Sequence, residues 1–398
     1  MKLYQALTAG LFLAACAQVP VVGPAPVADE PFKQIAGELC QTEVFKVDAD
    51  FPSANMASCG IIDERTVEIF LTPENTPINN SPWYAVRLTP TRAGDVRIIL
   101  RYEEHPHRYK PKISLDGASW SVLPESWVDV KAAGYRVTVK VALDDGPVFL
   151  SGQELFTNAA HEASIDTFSD RSYVSAAQIG QSIEGRPIRM MRTDASVDAP
   201  KTVMLVGRQH PPEVTGALAM SSFMEEILGM SPLAEQFRAK YDLIIIPNLN
   251  PDGVEHGHWR HNMAGIDLNR DWGPFTQPET QAAKSVIDQI EAPGLALFLD
   301  FHSTRKNVFY TQPEGSDGTE YDFTAEWLGR ARAKLADYVF DRQGAHNVDL
   351  PTSKTYIYER FDIPAITYEL GDETDRVEIA VTARVFAQEM MTLLLEQE

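Results

Sequence analysis

The sequence predicts an α/β fold, a mixed twisted sheet flanked by helices, preceded by an antiparallel β-sandwich domain. Beyond Ser164, short apolar strand candidates alternate with amphipathic helical stretches, which is the rhythm of an α/β domain. Between Glu38 and Phe156 the chain runs instead in short alternating segments cut by Pro, Gly, Asn and Asp clusters, the pattern of antiparallel strands in a sandwich. With 398 residues, 44% of them hydrophobic and 23% charged, there is enough apolar surface for two packed domains.

The chain opens with MKLYQALTAGLFLAACAQ, a single positive charge, an apolar stretch and small residues before Cys16. This pattern predicts an export signal over 1–16. Leu13, Ala14, Ala15 and Cys16 resemble the lipobox of bacterial lipoproteins, in which the Cys is acylated and becomes the mature N-terminus. The expectation is an exported, periplasmic chain held to the outer membrane through Cys16 and touching membrane in no other way. An ordinary signal peptide cut nearby is the alternative. Residues 17–37, rich in Pro, Val and Ala without a helical period, read as an extended tether.

Residues 38–160 form the expected sandwich, with TVEIFLT, WYAVRLT, VRIILRY and YRVTVKVAL as its clearest strands. Cys40 and Cys59 are the cysteines left after the signal, and either a disulfide or two buried thiols fits them. His105 and His107, spaced around a Pro, read as a solvated turn rather than metal ligands. In residues 165–398 the predicted strands are IRMMRT, TVMLVG, DLIIIPN, LALFLDFH and PAITYEL. Helices are expected over Glu213 to Leu228, Pro278 to Glu291, Tyr321 to Phe340 and Val377 to Leu395. A formal net charge of −21 without concentrated Lys and Arg argues against a nucleic-acid partner.

Chemistry concentrates in the second domain. VMLVGRQHPPEVTG runs off a strand, turns at Gly207 and sets His210 and Glu213 three apart before a helix. Strand ends in open α/β sheets are where sites form, and a neutral imidazole and a carboxylate at this spacing can converge on one tetrahedral zinc. His302, at the end of the apolar strand LALFLDFH, supplies a third ligand. NLNPDGVEHGHWRHNMAGIDLNRDWG lies between them and has the composition of a functional loop.

As a set, HPPE, WR, DLNRDW, DFHS and TYEL resemble, in order, the motifs of the zinc carboxypeptidases of the funnelin family. The resemblance covers Tyr173 to the C-terminus. The strand-rich first half, with DADFPSANMAS and a later WY strand, resembles the β-sandwich of the cytosolic-carboxypeptidase branch, whose eukaryotic members trim glutamate. The resemblance implies one Zn2+ per chain on His210, Glu213 and His302, and Glu369 as general base toward zinc-activated water. It further implies Arg260 as the oxyanion donor, Asn269 and Arg270 as the grip on the substrate's terminal carboxylate, and Asp267 as the acid that orients a ligating imidazole. Glu373 is the competing base, and it lies past Gly371 where a loop is expected.

Lys354, fifteen residues before Glu369, stands where the family often sets its selectivity, and a cation there favours a C-terminal Glu or Asp. The family's mobile tyrosine has two candidates, Tyr356 and Tyr358, both nearer the base than usual; Tyr356 is the one assigned to substrate binding. His256, His258 and His261 read as loop histidines, and HEAS at His161 lacks the second His of an HExxH helix. The expected substrates are peptide or protein C-termini, with cell-wall peptides as the target of an envelope amidase in the second reading. The non-enzymatic alternative is a module that binds peptide ends or glycans.

Overall fold

The computed structural model describes residues 33–36, 39–197, 200–291, 294–313, 319–344 and 346–397. The export signal, Cys16 and nearly all of the tether lie outside the described residues. Twelve strands come first: β1 Lys33–Ala36, β2 Leu39–Gln41, β3 Phe45–Asp48, β4 Ser58–Asp63, β5 Thr66–Leu71, β6 Ala85–Pro90, β7 Gly94–Tyr102, β8 Lys112–Ser114, β9 Ser121–Val122, β10 Val128–Lys131, β11 Arg136–Leu143 and β12 Val148–Ser151. They form two six-stranded sheets, ordered β1-β4-β5-β7-β11-β10 and β2-β3-β6-β12-β8-β9.

Alternation drives this pairing. In β11, Val137, Val139, Val141 and Leu143 face inward while the residues between them are more exposed, as a period of two requires. The pairing is antiparallel except between β5 and β7, which run parallel because the chain crosses to β6 in the other sheet before returning. Cys40 on β2 and Cys59 on β4 are joined by a disulfide, with Cα atoms 6.1 Å apart, that ties one sheet to the other. The His pair is half-buried rather than fully solvated: His107 Nδ1 lies 2.8 Å from the Tyr102 hydroxyl, and His105 Nε2 lies 2.7 Å from the Ile78 carbonyl.

After α1 Asn158–Ser169 the second domain is a single eight-stranded sheet. Its strands are β13 Ser175–Gln181, β14 Pro187–Thr193, β15 Lys201–Gly207, β16 Tyr241–Ile246, β17 Leu295–Thr304, β18 Val308–Tyr310, β19 Asp341–Gln343 and β20 Ala365–Gly371, in the order β13-β14-β16-β15-β17-β20-β18-β19. The helices are α2 Val214–Ile227, α3 Pro232–Lys240, α4 Pro251–His256, α5 Pro278–Ile287, α6 Thr319–Lys334, α7 Ser353–Phe361 and α8 Arg376–Glu396.

The central strands β16, β15, β17 and β20 are parallel and buried on both faces, which is why they read as continuous apolar runs. Val203, Leu205, Leu297, Leu299 and Phe301 pack on one side with residues of α2, α6 and α8. Met204, Val206 and Phe298 pack on the other with residues of α5 and α7. Among the described residues no helix is long and apolar enough to cross a membrane.

Candidate active site

The carboxyl ends of β15, β17 and β20 lie side by side, and each delivers one part of the site. The turn after β15 carries His210 and Glu213, β17 carries His302, and the β17–β20 register pairs His302 with Glu369 directly. Helix α2 starts close against β17 because Gly216 has no Cβ, which would lie 2.6 Å from the His302 carbonyl oxygen. The Ser303 hydroxyl accepts the Gly216 N–H at 2.8 Å and fixes the helix start.

Glu213 spans the two histidines. Its Oε1 lies 2.8 Å from His210 Nδ1 and its Oε2 lies 2.6 Å from His302 Nδ1, with all three side chains buried. The ligating atoms of the three residues lie within 4.8 Å of one another, a group that could hold a metal ion. The far nitrogen of each imidazole faces a carboxylate: His210 Nε2 lies 2.9 Å from Asp267 Oδ1, and His302 Nε2 lies 2.8 Å from Asp300 Oδ2.

That donor set fits zinc. With Nε2–H donated to Asp267 and Asp300, each Nδ1 turns a lone pair toward Glu213, so three groups offer electron pairs to one point. Burial pulls His302 down, but Asp300 and Glu213 together push it well above its ordinary value. Burial likewise works against the Glu213 charge, and His210 and His302 outweigh it and hold the carboxyl well below the usual range.

Glu369 lines the same cavity, of about 400 Å³. Its Oε2 is buried without a hydrogen-bond partner among the described residues. Burial first, and the Glu213 charge second, push its carboxyl up to about 8. Glu373 lies elsewhere, its Oε1 accepting the Lys110 N–H at 2.8 Å and its Oε2 lying 3.3 Å from Lys112 Nζ of the sandwich.

Around these acids stand Arg260, Arg270 and Lys354, joined by Arg108 from the sandwich. Arg260 donates from Nε to Asp267 Oδ2 at 2.7 Å, so Asp267 ties that guanidinium to the His210 ring. Asn269 Oδ1 accepts the Ser353 N–H at 2.9 Å, and its Nδ2 lies 3.3 Å from His302 Nε2. Arg270 reaches back to the Asn269 carbonyl at 2.7 Å and faces the cavity. Lys354 is 3% exposed and lines the cavity from α7.

Tyr356 is not among the residues that line the cavity. Two residues past Lys354 on α7, it turns to the opposite side of the helix, where its ring packs on Phe275 and Trp272 and its hydroxyl accepts from Arg360 at 2.6 Å. Tyr310 of β18 is the tyrosine that lines the cavity, its ring stacked on His346 with centroids 4.0 Å apart. The loop histidines stay apart from the metal group: His256 pairs with Glu184, His258 with the His261 carbonyl, and His261 with Asn75.

Asp300, Tyr310, His346 and Arg108 are among the residues of the site that escaped the sequence reading. Asp300 was legible as the acid two before His302 in a buried strand. Tyr310, His346 and Arg108 left no signal, because strand pairing and domain packing bring them in from remote stretches.

A family model described as zinc carboxypeptidase matches residues 161–390, more than half of the chain. An uncharacterised protein of Zymomonas mobilis is 25% identical over 263 residues, 65% of this chain and 66% of that protein. Cytosolic carboxypeptidase 1 of Danio rerio is 38% identical over 114 residues, 27% of this chain and 10% of its own length. The chain therefore spans less than two thirds of either relative. The solved metallo-carboxypeptidase from Burkholderia cenocepacia superposes with a TM-score of 0.77 at 18% identity, covering 89% of this chain and 100% of that one, so the two share the fold.

Proposed function

This chain belongs to the zinc carboxypeptidase family, and from that premise we propose that it is a zinc-dependent metallocarboxypeptidase that releases C-terminal residues, Glu and Asp in preference, from peptides. The observation that carries the reading is the meeting, in one cavity, of the His210–Glu213–His302 group with Glu369, whose Oε2 has no hydrogen-bond partner among the described residues, and a ring of cations.

Zinc on those three ligands would supply Lewis-acid activation of water and of the scissile carbonyl. Glu369, raised by burial, takes the proton from the attacking water and passes it to the leaving amine. Arg260 faces the oxygen on which charge develops, and Asp267 keeps its guanidinium in place. Arg270, with the Asn269 amide beside it, receives the terminal carboxylate in the planar, two-pronged geometry a guanidinium offers. That recognition is what confines the enzyme to chain ends. Lys354 supplies the charge that favours an acidic last side chain.

The proposal includes export and a lipid anchor at Cys16. The Cys40–Cys59 disulfide supports it, because such bonds persist in oxidising compartments. A panel of peptides ending in Glu, Leu or Arg, assayed with and without a chelator, tests the function. Chelator-sensitive release with Glu fastest is expected; equal rates on all three overturn the acidic preference, and no release from any peptide by the zinc-loaded protein overturns the carboxypeptidase reading.

A further inference from the structure

The loop that bears Arg260 is held by the sandwich as much as by its own domain. Glu74, in the connection between β5 and β6, accepts three consecutive backbone N–H groups: Trp259 at 2.7 Å, Arg260 at 2.9 Å and His261 at 2.5 Å. Its side chain is 8% exposed, and its nearest basic partner is His261 at 3.8 Å. The carboxylate is thus met chiefly by oriented backbone dipoles, an anion-binding nest supplied by the second domain and filled from the first.

The neighbouring contacts fix the same segment. Asn75 Oδ1 lies 2.6 Å from His261 Nδ1, and Asn75 Nδ2 donates to the Gly265 carbonyl at 3.0 Å. Trp259 is fully buried and packs within the sandwich's own hydrophobic core. Asn55 donates to the carbonyl of Gly257, two residues before Trp259, at 2.6 Å; a Cβ at Gly257, whose φ is +59°, would strike the Ala54 carbonyl oxygen. Neighbours in this segment part company. The Trp259 ring goes into the sandwich, and the Arg260 side chain goes into the cavity to meet Asp267.

We infer that Glu74 is a positioning residue for catalysis, which sets the Arg260 guanidinium against the developing oxyanion by fixing its backbone from the other domain. The inference rests on the carboxypeptidase reading and extends it to the sandwich. A donor that must sit within a fraction of an ångström of the oxyanion loses effect when its backbone loosens, whereas ground-state binding of the peptide, held by Arg270 and Lys354, changes little.

The test is a two-residue cycle. Glu74→Gln keeps the shape, loses the charge and turns one acceptor into a donor. It is expected to lower kcat about 10-fold while KM and bound zinc stay within about 2-fold, and to speed amide hydrogen exchange across residues 258–265. With Arg260→Ala already present, the same change is expected to alter the residual kcat by less than about 2-fold. An unchanged kcat in Glu74→Gln, or an equal loss with and without Arg260, overturns the inference. Should Glu74→Gln fail to fold, Asn75→Ala, read in the same cycle, decides it by the same criteria. Wild-type protein inactive on every peptide would instead sink the carboxypeptidase reading, and the exchange measurement would still report whether Glu74 orders the loop.

Discussion

Asp300 shows how much of this site depends on residues that touch no substrate. Fully buried, its Oδ2 meets His302 Nε2 and accepts from Gln209 Nε2 at 2.6 Å and from the Ser353 hydroxyl. Such partners fix the tautomer of a ligating imidazole, and their loss typically lowers metal affinity about 10- to 100-fold. Asp300→Asn is therefore expected to weaken zinc retention by that factor in a chelator competition, with the fold intact. Glu369→Gln is expected to do the reverse, retaining zinc while kcat falls by about 100-fold or more. Glu373→Gln, whose carboxylate is engaged by Lys110 and Lys112 away from the cavity, should leave turnover near wild type. Loss of turnover in Glu373→Gln with Glu369→Gln active would reverse the assignment of the base.

At the scale of elements, α7 divides its two informative residues between two environments. Its N-cap Thr352 accepts from the Thr355 N–H, which sets the helix phase so that Lys354 faces the cavity and Tyr356 faces Trp272 and Phe275. Lys354→Met is expected to erase the preference for Glu over Leu, measured as the ratio of kcat/KM on the two peptides. Tyr356→Phe keeps the packing and loses only the hydroxyl contact with Arg360, so the same ratio should not move. In the sandwich, the Cys40–Cys59 bridge closes a short loop between the sheets. Replacing both cysteines by Ala is expected to lower unfolding free energy by about 3 kcal/mol, read from denaturant midpoints.

Across the whole molecule the two domains act as one body at the site. Arg108 of the sandwich forms a two-pronged bond to Asp372, at 2.8 and 3.1 Å, three residues past Glu369. Arg376 reaches Glu154 in the same manner, so the segment following Glu369, like the one bearing Arg260, is held from the sandwich domain. Next to Arg108, burial pulls His107 from 6.5 down to about 4. The unfolded chain then takes up a proton first as pH falls. Stability is unaffected above about pH 6.5, declines between about 6.5 and 4, and levels below, a loss of at most about 3 kcal/mol. Thermal midpoints followed over that range should show the decline, and His107→Asn should remove most of it.

The sequence by itself determined the class of fold, the central strands, the candidate metal group and the place of Glu369 beside it. Each depends on local pattern: period-two alternation in the sandwich, apolar runs for strands buried on both faces, and short motifs at the strand ends. Only the tertiary structure decided which side of α7 faces the cavity, that β5 and β7 run parallel, and that the two cysteines pair. It alone also brought Tyr310, His346, Glu74 and Arg108 to the site. Those outcomes depend on contacts between stretches far apart in the chain, where the partner of a carboxylate or a ring is set by how sheets and helices stack, and no spacing within one segment encodes that stacking.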